Sequence, residues 1–171
     1  HEEQAMTLVV EHETERLINP VDTIEQIAAV NDWAFDRSGD HEITISVAGN
    51  WTDYHISFTW MDDLEALHLA CAFDLKVPEA RRREVVDLMA RINEQLWIGH
   101  FDLWAQEGVV IFRHALPLAG TETSPRQCET LLDAAVDTCE RYFQAYQFVV
   151  WAGKTADEAI ESALFETMGQ A

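Results

Sequence analysis

The chain has 171 residues, of which 31 are acidic and 11 basic, for a formal net charge of −20. Duplex nucleic acid places a phosphate charge every ~1.7 Å, so a chain this acidic is repelled from it, and from anionic membrane surfaces for the same reason. A hydrophobic share of 48% describes a folded domain able to bury ~70% of its unfolded surface, and no apolar run approaches the ~20 residues of a membrane-spanning helix.

Residues 1–18 read as an N-terminal arm or linker, acid-rich (Glu2, Glu3, Glu11, Glu13, Glu15) around the apolar island Leu8–Val10. Residues 19–171 read as a single domain. Asn19-Pro20 places a capping residue before a proline at the first position of a short amphipathic helix. Three period-2 stretches follow: Ile43, Ile45 and Val47; Tyr54, Ile56, Phe58 and Trp60; and Leu67, Leu69, Cys71, Phe73 and Leu75. Together they predict a meander whose second face is made of Ser, Thr, Ala and His. Val85, Leu88, Met89 and Ile92 recur at helical spacing after Pro78.

Trp97–Trp104 and Val109–Leu116 read as a hairpin with bulk on both faces. Phe101, Leu103, Val110 and Phe112 share one face; Ile98, Trp104, Val109 and Ile111 share the other. Ser124-Pro125-Arg126-Gln127 is a capping box opening a long helix that ends near Gly153. At ~1.5 Å per residue that helix is ~40 Å long and overruns a five-stranded sheet. Its far end, with Tyr142, Tyr146, Val149 and Trp151, then requires cover from the last helix, the N-terminal arm or a second subunit. Thr155–Glu158 is a second capping box, for a final short helix. Helices and strands fall in blocks, which predicts an α+β fold: an antiparallel five-stranded sheet with helices mainly on one face, in the order α-β-β-β-α-β-β-α(-α).

Within this frame, the tracts Leu67–Asp74, Ile92–Trp104 and Phe112–Leu116 resemble the bacterial YbjN domain family, whose members carry the label of sensory transduction regulators. Asn93–Asp102 is the most specific part, and the resemblance runs from about Asn19 to Met168. It implies a fold like that of the type III secretion chaperones, commonly dimeric, and a binding or regulatory role. It brings no catalytic residues. Fold alone does not fix function, so that role stands by analogy.

The residues themselves carry little reaction chemistry. No phosphate-cradling glycine loop, nucleophile elbow or metal-ligand spacing occurs. If Asp62-Asp63 makes a tight turn, His55 and His68 lie diagonally on one face near Asp53, yet a polar sheet face explains them better than zinc does. His100, Asp102 and Trp104 share a hairpin face with Ile111 and Arg113, and this combination suits a partner- or ligand-binding groove more than acid–base catalysis. Trp51, Trp60, Trp97 and Trp151 read as core or dimer seam, and Arg81–Arg83 as a solvated helix face. The three cysteines form no disulfide framework and suit a reducing cytoplasm.

The resulting expectation is a cytoplasmic, non-enzymatic, chaperone- or adaptor-like module without cofactor or metal. Its partners would be a second copy of itself and possibly another polypeptide, with no nucleic acid or membrane. The binding candidates are His100, Asp102, Trp104, Arg113 and Trp151. The rival is a small-molecule sensor or enzyme with a pocket between sheet and helices.

Overall fold

A computed structural model describes residues 16–169. Of the expected arm, only Arg16–Ile18 fall within that range, and the island Leu8–Val10 lies outside the described residues. Arg16 is docked: its guanidinium stacks 4.5 Å from the Trp60 ring and donates to the Leu118 and Thr121 carbonyls.

Asn19 caps α1 (Pro20–Val30) by accepting from the Val21 amide at 3.0 Å, as its sequence predicts. The strands are β1 (Ala34–Arg37), β2 (Glu42–Ala48), β3 (Asp53–Met61), β4 (Ala66–Lys76), β5 (His100–Trp104) and β6 (Val109–Pro117). The remaining helices are α2 (Arg82–Asn93), α3 (Pro125–Val150) and α4 (Ala156–Gly169). The α+β class and the antiparallel sheet hold, but the sheet has six strands and not five, in the order β1-β2-β3-β4-β6-β5. The strand that periodicity does not reveal is β1. It has four residues and no buried position, so it carries no apolar alternation. Its Arg37 lies on the helix-bearing face opposite Ile43 and pairs with Asp22 (2.6 Å) and Glu25 (3.6 Å) of α1. An inward-facing charge of this kind blunts an edge strand against pairing with other chains.

The apolar alternation of β2, β3 and β4 faces the helices: Ile43, Ile45, Ile56, Phe58, Leu67, Leu69 and Cys71 are all fully buried. Phe73, Phe101, Phe143 and Tyr146 form an aromatic knot beneath α3, with ring centroids 5.1–5.7 Å apart across four of their pairs. The Ser124 capping box starts α3 as predicted. The far end of α3 is covered within the described chain, because Tyr142, Tyr146 and Val149 are buried where α2 and α4 pack against it. Trp151 is not covered and stays 65% exposed.

The clamp at that end corrects the reading of the arginine run. Arg81 donates from Nε to the Val149 carbonyl (2.9 Å) and from Nη2 to the Lys154 carbonyl (2.6 Å), satisfying backbone groups that the end of α3 leaves open. Three residues on, Glu84 accepts from the Ala156 amide at 2.9 Å and so caps α4, while Arg91 pairs with Asp157. Arg81 and Arg82 are half-buried; only Arg83 is solvated.

Candidate functional site

Residue alternation sends every second side chain of the sheet away from the helices. Register then assembles that second face in transverse rows. One row reads Ala34, Ser46, His55, Ala72, Ile111 and Asp102; the next reads Asp36, Thr44, Ser57, Ala70, Arg113 and His100. In these two rows the central strands carry small or uncharged side chains, while Glu42, Asp53, Asp74 and Lys76 stand on the same face toward the strand ends, and the Arg113 cluster lies at the β5–β6 edge.

Four of the five candidates meet there. His100 lies opposite Arg113, Asp102 opposite Ile111 and Trp104 opposite Val109. Arg113 reaches Asp102 at 3.9 Å and donates from Nη2 to His68 Nε2 at 3.4 Å, across to β4. A guanidinium can only donate, so this His68 nitrogen accepts and the ring is neutral. Burial, followed by the Arg113 charge and then His114, holds the His68 pKa below its ordinary value, in agreement with that geometry. Ile111 is fully buried although it faces away from the helices, and Trp104 beside it remains 42% exposed. The Arg113–Asp102 pair is about half solvated and contributes ~1 kcal/mol at most. Trp151, the fifth candidate, lies on the helical side, at the C-cap of α3.

Two further expectations for this face change. Ile98 does not join Trp104 and Ile111, because β5 begins only at His100 and Ile98 packs against the main core. His55 and His68 share the face but lie two rows apart, opposite Ala72 and Thr59. The β3–β4 connection is a 3₁₀ turn at Asp62–Leu64 with Glu65 left-handed, not a tight two-residue turn, and the longer loop slides the register. His55 instead bonds Ser46 at 2.9 Å.

The positions flanking Arg113 in register and along β6 are Ala70, His100, Ile111 and Ala115, which supply no hydroxyl or thiol nucleophile. All three cysteines are buried, and burial raises the thiol pKa of Cys128 and Cys139, which keeps both unreactive.

The helical side carries a feature the sequence did not flag. The segment after α2 runs alongside α3 and leaves Trp97 79% exposed. Two clefts flank it. One, of about 330 Å³, is lined by Ile98, His114, Leu116 and Leu131, and its rim includes Arg126. The other, of about 360 Å³, is lined by Leu96, Asp133, Asp137, Arg141 and Tyr142. Trp97 and Thr130 line both. Burial raises the Asp133 pKa, helped by the charges of Asp137 and Glu129. Trp97, Trp151 and Trp51 (44% exposed) are thus surface residues, and of those four tryptophans only Trp60 is core. No local pattern marks Trp97 as exposed: the turn two residues further on rests on Gly99, whose φ is +70° and where a Cβ would meet the Phe112 ring.

The family model for YbjN, described as “Putative bacterial sensory transduction regulator”, matches residues 20–148. No curated protein matches the sequence. Among solved structures, the crystal structure of YbjN from E. coli, described as “a putative transcription regulator”, is similar with a TM-score of 0.53 and 11% identity, over 73% of this chain and 90% of that one. At such identity the likeness shows the fold alone. The family match extends from the first residue of α1 to within two residues of the end of α3, and on that ground this chain belongs to the YbjN family.

Proposed function

We propose that this protein is a non-enzymatic regulatory module that acts by binding polypeptides, in a chaperone- or adaptor-like manner and in the cytoplasm, with a second copy of itself as the first occupant of its open sheet face. The observation that carries the reading is that face. Every described helix packs on the other side, and β2, β3, β4 and β6 present Thr44, Ser57, Ala70, Ala72 and Ala115 around the Arg113 cluster. Two chains of charge −20 repel one another, but the middle of the face, where Thr44, Ser46, Ser57, Ala70 and Ala72 meet, is uncharged and allows a close flat approach that a wholly acidic surface would prevent. Trp104 and Arg113 have the composition that carries binding energy at protein interfaces. The family description as a sensory transduction regulator agrees with a role in regulation.

Sedimentation velocity across the micromolar range tests this. The wild-type chain is expected to sediment as a dimer, and Trp104→Glu, which places a charge at the rim of the seam, as a monomer with unchanged circular dichroism. A wild type that stays monomeric throughout, or a dimer indifferent to Trp104→Glu, removes the open face as the seam.

A further inference from the structure

We propose that the paired clefts beside Trp97 form a second, separate docking groove, and that its occupant is a basic amphipathic polypeptide segment. This rests on the reading of the protein as a polypeptide binder and adds a surface on the side opposite the open sheet face.

The argument begins with the two halves of the groove. On one side of Trp97 the floor is apolar, made by Ile98, Leu116 and Leu131. On the other side, Asp133 and Asp137 stand one helical turn apart on α3, with Glu129 a turn earlier. Carboxylates at i and i+4 repel one another. Among the described residues, neither Asp133 nor Asp137 has a hydrogen bond or ion pair to offset this. Arg141 lines the same cleft a turn beyond Asp137, yet no ion pair joins the two. With Glu129, the acidic half keeps three carboxylates against the guanidinium of Arg141, Arg126 standing at the rim of the apolar half, so a net negative charge lies next to an exposed indole.

A lysine or arginine side chain relieves that charge, and its head group can sit against the Trp97 ring in a cation–π contact. The neighbouring side chain of the same segment then reaches the apolar floor. From Thr130 to Tyr142 the acidic cleft runs twelve residues of α3, or ~18 Å, which an extended segment of about six residues spans. Charge excludes the nearer alternatives. The acid-rich residues 1–15 are repelled by Asp133 and Asp137, as is nucleic acid. A second copy, with 31 acids to 11 bases, is a poor source of the cation.

The test is selection from a displayed library of random decapeptides on the full chain at low ionic strength. Each selected sequence is then measured by fluorescence anisotropy against variants. Selected peptides are expected to be enriched in Lys and Arg next to Leu, Ile or Phe. Their affinity is expected to fall about tenfold in Trp97→Ala and at least as much in the double variant Asp133→Asn/Asp137→Asn, the second variant also losing most of its salt dependence. All three positions are exposed, so the variants keep the fold, which circular dichroism verifies. Trp104→Ala is expected to leave this binding unchanged. Selection of acidic or purely apolar peptides overturns the proposal, as does binding indifferent to both groove variants, or displacement by free spermidine as effective as by the peptide. If peptides bind but Trp104→Ala abolishes it, the groove is wrong while polypeptide binding stands. If no peptide is enriched and the chain is also monomeric, the broader reading falls with it.

Discussion

At Gly99 a single hydrogen atom decides whether the chain can turn between the end of α2 and β5. Its φ is +70°, and a Cβ placed there collides with the Phe112 ring. Gly153 has nearly the same φ (+67°) but open space around it. The two glycines separate backbone strain from crowding. Gly153→Ala is expected to cost only the left-handed strain, about 1 kcal/mol, whereas Gly99→Ala adds overpacking against a buried ring and should lose about 3 kcal/mol. Urea unfolding midpoints at unchanged slope measure both, and equal losses would mean that the Phe112 ring yields freely. Six residues earlier, Asn93 accepts from the Phe101 amide (2.8 Å) and donates to the Phe101 carbonyl (3.1 Å), so its amide acts as the missing neighbour of edge strand β5. Much at this scale was legible in the sequence. Strand alternation alone places His100, Asp102 and Trp104 on one face of β5, since a period of two leaves no freedom, and the hairpin register brings Arg113 to the same face. Trp97 was not legible, because a large aromatic reads as buried and no local pattern marks this one as exposed.

Among the elements, α3 ends on a side chain supplied from elsewhere, just as α4 begins on one, Glu84. The Val149 carbonyl in the last turn of α3 is met by Arg81, which also holds the Lys154 carbonyl leading into α4. Arg81→Ala should therefore leave two half-buried carbonyls without a charged donor and cost about 2 kcal/mol. The loss is expected to be local: hydrogen exchange should quicken over 147–160 and leave β2–β4 protected. Uniform quickening across the sheet would show that the clamp supports the whole fold and not one helix end. From the sequence, this run of three arginines between glutamates is indistinguishable from a solvated helix face, since partners 68 and 73 residues away leave no trace in local pattern. The helix starts were legible for the opposite reason, as Asn19, Ser124 and Thr155 act within three residues of themselves. The β3–β4 register falls between these cases: the alternation of each strand is local, but the loop length that aligns them follows from the left-handed Glu65.

For the molecule as a whole, the dominant unspent term is charge. The chain has 31 acids against 11 basic residues, and several of the latter (Arg16, Arg37, Arg91 and Arg113) are already engaged, so negative charge is in large excess. Added salt then acts on two opposed sets of interactions. The attractive pairs lie within 4 Å, are partly solvated, and contribute at most ~1 kcal/mol each. The repulsion acts over the full width of the domain, because at ~10 mM salt the screening length is ~30 Å, and it is removed first as that length falls below ~10 Å. Repulsion therefore decides the sign. Raising NaCl from ~10 mM to ~0.3 M should increase the melting temperature by several degrees, since about 1 kcal/mol corresponds to ~2–4 °C for a domain of this size. Over the same range, binding of a basic segment at Asp133 and Asp137 should weaken, because there the charges attract. Thermal melts and peptide titrations in one salt series read both signs together. A melting temperature that falls as salt rises would mean that the few short ion pairs outweigh the net charge. The acidic shell would then be a stabilising network, not a reservoir of repulsion awaiting a cationic partner.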